Sequence, residues 1–516
     1  MICVTIGRAR HQRMIEEMKH LGTQDVQLIE LRLDYITRAV NLKRLTADKP
    51  CPLIATVRRR EEGGRWTKSE GERLMLLRGA IASGAFDYVD LESDIADQIP
   101  RYGQTKRIVS FHLFEGTPDD LEGLHQAIAA EDADIIKIAT MANSIDDCFR
   151  MMEVVKNAKV PTIGICMGEM GTMTRILSTR LGSPFTYASF SVEKKVAPGL
   201  IHWLKMRDLY RIDDISPQTE LFGVIADPVA HSHSPIIHNG AFQAAGIDAR
   251  YLPFRVPQDD LQRFIQGCSD LGVHGLSVTI PHKEEALDEC SQAEQAATGI
   301  GAVNTIVFDK KQTLGYNTDY RAAMDCIESV FQSRQPSSAG MEEYDARGMD
   351  RTADEPLRGF RCLLMGAGGV SRAIAWGLIQ RGMSVVLTSR TQTRADRLAQ
   401  DLGCRAVPWE HRKEVRFDLL VNGTPVGMFP NVDATPFPSE AIMDDQVVFD
   451  TVYNPEQTLL IKDARRARAS VITGVDMFIR QAAYQYKLFT GRDADIELMR
   501  TKLKEATSPV RLNRDN

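Results

Sequence analysis

Short runs of β-branched and other apolar residues alternate with longer amphipathic segments over the first 210 residues or so of the chain. The runs that have the length of buried strands are Ile2–Ile6, Val26–Leu33, Pro52–Val57, Tyr88–Leu91, Arg107–Phe111, Ile135–Ala139, Thr162–Cys166 and Thr186–Phe190. The segments between them, such as Gly71–Ser83 and Ile145–Ala158, are rich in residues that favour helices. Eight strand–helix units of this size predict an α/β fold that begins with a compact (β/α)8 barrel.

Two breaks in the pattern divide the rest of the chain. The short acidic stretch from Ile212 to Pro217 indicates a linker, and the strand Leu221–Ile225 opens a second α/β region. The stretch from Gln332 to Pro356 has almost no aliphatic residues and favours an exposed, flexible insertion. The predicted segments are a barrel over 1–213, an α/β lobe over 218–330, the insertion over 331–357, a nucleotide-binding lobe over 358–475, and C-terminal helices over 476–516 that pack back on the 218–330 lobe.

Composition excludes several classes of protein. Domains average about 150 residues, so a chain of 516 residues is expected to contain more than one. Its 43% hydrophobic and 26% charged residues are close to globular averages, which excludes a largely disordered or fibrous chain. The net charge of −6 does not indicate the basic surface that nucleic-acid binding requires. No apolar run reaches the length of a membrane span. Nine scattered cysteines without a Cys-x-x-Cys pair indicate reduced thiols. With a strand-like segment directly after Met1 instead of a targeting peptide, we expect a cytoplasmic protein.

Polar side chains gather at the predicted carboxyl ends of the barrel strands, where (β/α)8 enzymes carry their chemistry. Lys137 lies in an otherwise apolar strand, and desolvation beside other cations would lower the pKa of its amine and make it a nucleophile toward carbonyls. His112 is suited to proton transfer near neutral pH. A lone strand lysine or histidine is more often structural, but convergence at one end favours a Schiff-base lyase or aldolase acting on an anionic carbonyl compound. The other residues in this group are Glu30, Arg32, Arg58, Glu62, Met167 and Arg175.

The motifs of this region resemble type I 3-dehydroquinate dehydratase. They are Glu30-Leu-Arg32-Leu-Asp34, Arg58 with Glu62-Gly-Gly, Val109-Ser-Phe-His112, Lys137-Ile-Ala, Met167 to Arg175, and Ala197-Pro-Gly199. The resemblance implies that Lys137 forms an imine with the substrate ketone, that His112 moves the proton, and that Glu62 orients His112. It also implies that Arg175 binds the substrate carboxylate and that Glu30, Arg32 and Arg58 bind ring hydroxyls, while Thr5 and Met167 match further substrate contacts. Val196 and Leu200 replace the Ser and Gln that usually flank Ala-Pro-Gly in the lid loop of that family.

The second region contains paired hydroxyls and a separate lysine. Ser232 and Ser234 lie in the run His231-Ser-His-Ser-Pro235, and they are suited to donate hydrogen bonds to a carboxylate. A metal site is not predicted, because no carboxylate or cysteine stands at ligand spacing and Pro235 breaks any shared helical face. The strand from Ser277 through Thr279 runs into a loop that presents Lys283, and two further strands end near Asn304 and Asp319. Each of these features alone is also typical of a turn, but together they predict a polar pocket.

The third region opens with a strand, a glycine-rich turn and a helix start, which is the order of a dinucleotide-binding fingerprint. The turn comprises Gly366, Ala367, Gly368, Gly369 and Val370. The next strand, Ser384–Thr388, is followed by Ser389, Arg390 and Thr391, with Arg394 close behind and no carboxylate among them. Guanidinium groups at this place favour the 2′-phosphate of NADP(H) over the ribose hydroxyls of NAD.

The second and third regions together resemble shikimate dehydrogenase, apart from the insertion. The resemblance implies that Lys283 and Asp319 form the catalytic pair and that Ser232 and Ser234 bind the substrate carboxylate. It also implies substrate contacts at Ser277, where Asn is more usual, and at Thr279, Asn304, Tyr453 and Gln481, and nucleotide contacts at Gly474 and the glycine turn. The predicted fold is a TIM barrel followed by a two-lobed dehydrogenase unit with a Rossmann lobe.

The resulting hypothesis is a fused enzyme for two consecutive steps of aromatic biosynthesis, with 3-dehydroquinate, 3-dehydroshikimate and shikimate as its small-molecule partners. Neither nucleic acid, membrane nor metal is expected, and the sequence says nothing of oligomeric state. A barrel aldolase joined to an unrelated NADP reductase, a metabolite-sensing regulator derived from these domains, and oxidation of quinate instead of shikimate stay open as alternatives.

Overall fold

The computed structural model describes residues 1–191, 197–335 and 355–507. Val196 and most of the predicted insertion therefore lie outside the described residues. Within them the chain forms two compact units, one comprising residues 1–235 and 246–272 and the other residues 236–245 and 273–507. The finer division into five segments stays a prediction.

The first unit begins with eight parallel strands in one sheet. Their order is β7-β6-β5-β4-β3-β2-β1-β8, which forms a near-closed barrel and confirms the predicted fold. The strands are β1 (Ile2–Ile6), β2 (Leu28–Arg32), β3 (Leu53–Thr56), β4 (Tyr88–Glu92), β5 (Lys106–Leu113), β6 (Ile135–Met141), β7 (Thr162–Met167) and β8 (Thr186–Ser189). Most of their residues are buried, as expected for parallel strands covered on both faces.

Among residues 1–191 and 197–213, which the structure describes, six α-helices accompany the barrel strands, fewer than the eight expected from regular alternation. They are α1 (His11–Gly22), α2 (Leu42–Thr46), α3 (Glu70–Ala82), α4 (Leu121–Ala129), α5 (Ile145–Asn157) and α6 (Thr172–Leu177). A 3₁₀ segment, Ser93–Gln98, follows β4, and a π-helical turn, Lys205–Leu209, lies beyond β8. The connection after β4 contains Pro100 and Gly103, which disfavour a longer helix.

The first unit continues with a parallel strand pair, β9 (Glu220–Ala226) and β10 (Ala249–Arg255). Helix α7 (Ser234–Ala244) begins in this unit and continues into the second one, and α8 (Leu261–Leu271) follows β10. An αL glycine, Gly272, ends α8, as is usual where a helix terminates.

The second unit contains a group of strands with mixed pairing and a doubly wound sheet. The strands of the first are β11 (Val273–Val278), β12 (Gln292–Ala293), β13 (Thr305–Asp309) and β14 (Gln312–Tyr316), in which β13 pairs with both β11 and β14. Helices α9 (Glu285–Asp288), α10 (Gln295–Ile300) and α11 (Thr318–Phe331) complete this part.

The doubly wound sheet is wholly parallel. Its order, β17-β16-β15-β18-β19-β20, is the 3-2-1-4-5-6 order of dinucleotide-binding folds. Its strands are β15 (Arg361–Met365), β16 (Ser384–Thr388), β17 (Arg405–Ala406), β18 (Leu419–Asn422), β19 (Val447–Asp450) and β20 (Ser470–Ile472). The helices are α12 (Gly369–Gln380), α13 (Gln392–Leu402) and α14 (Leu459–Arg466), followed by α15 (Gly474–Thr490) and α16 (Ile496–Thr507). The predicted Rossmann lobe is confirmed.

None of the helices in the described part of the chain is both long and apolar enough to cross a membrane. In the same residues, no group of three or more His, Cys, Asp or Glu side chains is arranged to hold a metal ion. All nine cysteines are free thiols.

Candidate active sites

Nine of the residues singled out in the first region line a single cavity at the carboxyl ends of the barrel strands. They are Thr5, Glu30, Arg32, Arg58, Glu62, His112, Lys137, Met167 and Arg175. Leu200 lines the same cavity and is 3% exposed, packing in one apolar cluster with Ile165 and Tyr187. An apolar side chain therefore stands where the related family usually has Gln.

Lys137 occupies the centre of this site on β6. Its Nζ donates a hydrogen bond to Oδ2 of Asp90 on β4 at 2.9 Å and lies 4.3 Å from the ring centroid of Tyr187 on β8. Asp90 also accepts hydrogen bonds from Nη2 of Arg58 and from Oγ of Ser110, both at 2.6 Å. Burial alone would raise the pKa of Asp90, but Arg58 and Lys137 outweigh it and hold that pKa well below its usual value.

His112 and Glu62 form a pair at the edge of the same cavity. Nδ1 of His112 lies 2.9 Å from Oε2 of Glu62. Burial lowers the pKa of His112 well below its usual value, and the nearby cations Arg58 and Lys137 lower it further. Burial raises the pKa of Glu62 to about 7, although Arg58 opposes the rise. The imidazole is therefore neutral at neutral pH and can accept a proton.

Two carboxylates on β2 and the turn after it fix the remaining polar groups. Glu30 accepts hydrogen bonds from the hydroxyls of Thr5 and Thr56, each at 2.8 Å. Arg32 forms a two-point ion pair with Asp34, with both nitrogen–oxygen distances at 2.9 Å. These contacts hold Glu30 and Arg32 with their side chains directed to the cavity.

Arg175, on α6, is the least compensated cation at this site. Its side chain is 2% exposed, and burial lowers its pKa to about 10. Nη2 donates to the carbonyl oxygen of Pro198 at 3.1 Å, while the buried Nε has no hydrogen-bond partner among the described residues. A buried guanidinium without a carboxylate partner is suited to bind an anion.

A second lysine-centred cluster lies in the second unit. Nζ of Lys283 donates to Oδ2 of Asp319, at the start of α11, at 2.5 Å. A methyl group placed on Gly369 would lie 3.5 Å from Cδ of Lys283, so the lysine stem borders the glycine turn that opens α12. The ion pair and the turn thus belong to one neighbourhood.

Hydrogen bonds connect the strand ends around this pair. Buried Asn304 accepts from the backbone N–H of Thr318 at 2.7 Å and donates to the Thr318 hydroxyl at 2.9 Å. The Ser277 hydroxyl donates to Oε1 of Gln485 on α15 at 2.8 Å. Gln485 in turn donates to the hydroxyl of Thr305 at 3.1 Å. This network fixes the residue that directly precedes Asp319 in the chain.

The glycine turn after β15 has the geometry that phosphate binding requires. Gly366 has φ +115, and a side chain there would meet the carbonyl oxygen of Gly423 at 2.8 Å. Gly368 faces open space, and α12 begins at Gly369 with its first backbone N–H groups free of helical partners. The other predicted nucleotide contacts in this turn, Ala367 and Val370, are half-buried.

The end of β16 carries the second half of the predicted nucleotide site. Arg390, Thr391 and Arg394 are exposed there, and the Ser389 hydroxyl accepts from the backbone N–H of Thr391 at 3.3 Å. Just before them, the hydroxyl of Thr388 is buried and has no hydrogen-bond partner among the described residues.

The remaining predicted residues are distributed over both units. Ser232 and Ser234 belong to the first unit, where the Ser232 hydroxyl accepts from the backbone N–H of Ser234 at 3.3 Å. In the second unit Tyr453 stacks on Phe478 with centroids 4.3 Å apart, and Gln481 is buried with its amide donating to the Phe478 carbonyl oxygen. Thr279 is half-buried beyond β11, and Gly474 opens α15 with no space for a side chain beside the Val452 carbonyl.

Comparison with known proteins identifies the family. The profile "Type I 3-dehydroquinase" matches residues 2–217, "Shikimate dehydrogenase substrate binding domain" matches 224–306, and "Shikimate 5'-dehydrogenase C-terminal domain" matches 474–504. A bifunctional 3-dehydroquinate dehydratase/shikimate dehydrogenase from Arabidopsis thaliana, described as chloroplastic, is 36% identical over 96% of this chain and 83% of its own length. The chain belongs to the bifunctional 3-dehydroquinate dehydratase/shikimate dehydrogenase family.

The dehydrogenase part also matches proteins that lack the dehydratase. A shikimate dehydrogenase (NADP(+)) from Methanopyrus kandleri is 36% identical over 56% of this chain and 97% of its own length. A crystal structure of a shikimate dehydrogenase in complex with NADP⁺ superposes with a TM-score of 0.50 at 31% identity, covering 57% of this chain and 98% of the other. An aldolase joined to an unrelated reductase is therefore not favoured.

Several residues of the two lysine-centred clusters were not predicted from the sequence. Asp90 at the dehydratase site was not singled out, although the alternation Asp90-Leu-Glu92 at the carboxyl end of a barrel strand is a usable signal. Tyr187 was not singled out either. At the dehydrogenase site Gln485 was missed, although it follows Gln481 by one helical turn and so lies on the same face of α15.

Proposed function

We propose that the chain dehydrates 3-dehydroquinate to 3-dehydroshikimate through an imine on Lys137 and then reduces 3-dehydroshikimate to shikimate with NADPH at Lys283 and Asp319. The observation that carries this proposal is the convergence of nine predicted side chains on one cavity around Lys137. The second lysine, paired with Asp319 beside the glycine turn, supports the second step.

In the dehydratase step, the Lys137 ammonium gives up one proton and the resulting amine attacks the substrate ketone. The hydroxyl of the carbinolamine then leaves with one proton as water, which gives a protonated imine. This cation withdraws electrons, so that His112 can remove the proton from C2 through Nε2 and produce an enamine. His112 then returns the proton to the C1 hydroxyl, which leaves as water while the imine re-forms. Hydrolysis of that imine releases the product and the amine.

Three further groups give this sequence of steps its geometry. Glu62, 2.9 Å from Nδ1 of His112, accepts a hydrogen bond from Nδ1–H when ionised, which keeps the hydrogen on Nδ1 and leaves Nε2 free as the base. Arg175, buried without a carboxylate partner, binds the substrate carboxylate and so fixes the ring. The ring hydroxyls then face Glu30, Arg32 and Arg58, with Thr5 and Met167 completing the wall.

The second site fits NADP(H). The left-handed Gly366, the open Gly368 and the start of α12 suit the pyrophosphate, and the exposed Arg390 and Arg394 with Ser389 and Thr391 suit a 2′-phosphate. Relatives described as shikimate dehydrogenase (NADP(+)) support this choice. When bound, NADPH supplies the hydride for the C3 ketone.

The proton chemistry at this second site falls to the ion pair. Lys283 polarises the ketone oxygen and supplies the proton of the new hydroxyl, while Asp319 holds the ammonium in place at 2.5 Å. Ser232 and Ser234 bind the carboxylate of the substrate. The other substrate contacts of this reading are Ser277, Thr279, Asn304, Tyr453 and Gln481, and Gly474 is a further nucleotide contact.

We propose a cytoplasmic location as well, supported by nine free cysteines, which suit a reducing compartment. Fractionation of cells that express the tagged chain tests this location, and recovery in an organelle would contradict it.

The decisive test supplies the purified chain with 3-dehydroquinate and NADPH and follows the absorbance of the enone product and of NADPH. Lys137→Ala should abolish enone formation and borohydride trapping while the chain still oxidises NADPH with added 3-dehydroshikimate. Lys283→Ala should show the reverse. Full dehydration by Lys137→Ala, or undiminished reduction by Lys283→Ala, would refute the corresponding half of the proposal.

A further inference from the structure

An aromatic ring lies against the reactive nitrogen of Lys137 inside the barrel. Nζ stands 4.3 Å from the ring centroid of Tyr187, while Oδ2 of Asp90 lies 2.9 Å from the same nitrogen. A cation within about 6 Å of an aromatic ring centroid is attracted by the negative face of the ring. The nitrogen is thus held between a carboxylate and an aromatic face.

The contribution of Tyr187 comes from its ring. The residue is 4% exposed, and its hydroxyl is buried without a hydrogen-bond partner among the described residues. Burial also raises the pKa of that hydroxyl, so the phenol stays neutral. Phe185 and Leu200 pack in the same apolar cluster and exclude water from the ring, a setting in which cation–π attraction is stronger than at an exposed site.

We propose that Tyr187 is a further catalytic residue of the dehydratase site, whose ring face stabilises the positive charge on the Lys137 nitrogen. The proposal rests on the imine mechanism proposed above. Positive charge builds on Nζ in two steps: when the carbinolamine expels water to form the protonated imine, and when the enamine expels the C1 hydroxyl and the imine re-forms. In both steps the electron pair of nitrogen forms the C=N bond as the C–O bond breaks, and the leaving oxygen takes a proton to become water.

A series of ring-fluorinated residues separates this electrostatic role from packing. Fluorine withdraws electrons from the ring face while changing its size little, so Tyr187 is replaced in the full chain by phenylalanine and by its mono-, di- and trifluoro derivatives. The Tyr187→Phe variant should retain the dehydratase kcat within about twofold, because the ring remains. The trifluoro derivative should lower kcat about 5- to 30-fold, with intermediate values between, while KM for 3-dehydroquinate and the dehydrogenase activity stay unchanged.

Phe185 provides the matched control, since it lies directly before β8 with its ring centroid 5.6 Å from that of Tyr187. The same fluorinated series at position 185 should give no trend in kcat. A flat series at position 187, or a large loss in Tyr187→Phe that assigns the role to the hydroxyl, would overturn the proposal.

Borohydride trapping separates failure of this inference from failure of the mechanism on which it rests. If substrate-dependent trapping on Lys137 occurs but the series at position 187 is flat, only the role of Tyr187 is refuted. If the unaltered chain shows no trapping on Lys137, the imine mechanism fails, and the role of Tyr187 fails with it.

Discussion

Nδ1 of His112 lies 2.9 Å from Oε2 of Glu62, and the two groups have pKa values displaced in opposite directions. Burial raises the pKa of Glu62 to about 7 and lowers that of His112 well below its usual value. The carboxyl group is therefore the member of the pair that titrates near neutral pH. When Glu62 is ionised, it accepts a hydrogen bond from Nδ1–H, and Nε2 is then free to act as the base. The ionisation of Glu62 therefore decides whether His112 can remove a proton from the substrate.

The first prediction concerns the pH dependence of the dehydratase. Because ionised Glu62 is the form that accepts a hydrogen bond from Nδ1–H, kcat should fall as pH decreases through about 7, not through the 4.5 of an ordinary glutamate. Glu62→Gln should remove this acid limb and lower kcat about 10- to 100-fold. Glu61→Gln, at the exposed neighbouring position, is the control and should keep both the limb and the rate. A limb near pH 7 that survives in Glu62→Gln would exclude this assignment.

A second prediction concerns Asp90, which accepts hydrogen bonds from both Arg58 and Lys137. Asp90→Asn removes the carboxylate that pairs with buried Lys137 and one of the three that pair with Arg58, which keeps Glu92 and Glu62, so it should destabilise the barrel by about 3 kcal/mol. The urea midpoint for loss of dehydratase activity measures this effect, and Asp94→Asn, which breaks only an exposed pair with Arg59, should cost less than about 1 kcal/mol.

The depressed pKa of Asp90 also fixes the sign of its pH dependence. A carboxylate whose pKa is lower in the folded than in the unfolded chain stabilises the fold above its unfolded pKa. This stabilisation should therefore be complete at neutral pH and decrease as the solution is acidified below the usual Asp pKa of about 3.9. Equal sensitivity of Asp90→Asn and the unaltered chain to acid would contradict it.

A third prediction concerns the choice of cofactor. Arg390→Gln and Arg394→Gln remove guanidinium groups at the end of β16, so each should raise KM for NADPH about 10- to 100-fold. KM for NADH should change little, because NADH has no 2′-phosphate. Arg397→Gln, on the exposed surface of α13, serves as the control. A parallel rise for both cofactors would indicate damage to the lobe instead of loss of a phosphate contact.

A fourth prediction concerns Ser232, just before α7, and Ser234, its first residue. Ser232→Ala and Ser234→Ala should each raise KM for shikimate about 10-fold with a small change in kcat, because a hydrogen bond to a charged group is lost on binding. The dehydratase activity should be unaffected, and Ser269→Ala, at an exposed position of α8, should leave KM unchanged. If kcat falls while KM stays constant, the serines act on the reaction step and not on the carboxylate.

Much of the fold and of both sites follows from local sequence patterns. Buried strands are recognised by their apolar runs, and a lysine in such a run is conspicuous, so Lys137 could be predicted from the sequence together with the polar residues at the other strand ends. Thr5 was predicted only through the family resemblance. The count of barrel helices was overestimated, because regular spacing does not distinguish an α-helix from the 3₁₀ segment Ser93–Gln98. Gln485 was not predicted, because glutamine is a common residue on helices and its hydrogen-bond partner Ser277 is 208 residues away in the chain.

The sequence by itself determined the residue types at the strand ends, the glycine turn and the absence of a carboxylate from Ser389 to Arg394, because these depend on neighbours within a few positions. Only the tertiary structure decided that Asp90 and Tyr187 meet the nitrogen of Lys137, and that Leu200 closes the cavity with an apolar side chain. Such contacts join strands that are distant in the chain, and the order of strands around the barrel sets their distances. Burial then sets the charge states, as the opposite pKa displacements of Glu62 and His112 show, and burial is a property of the packed barrel.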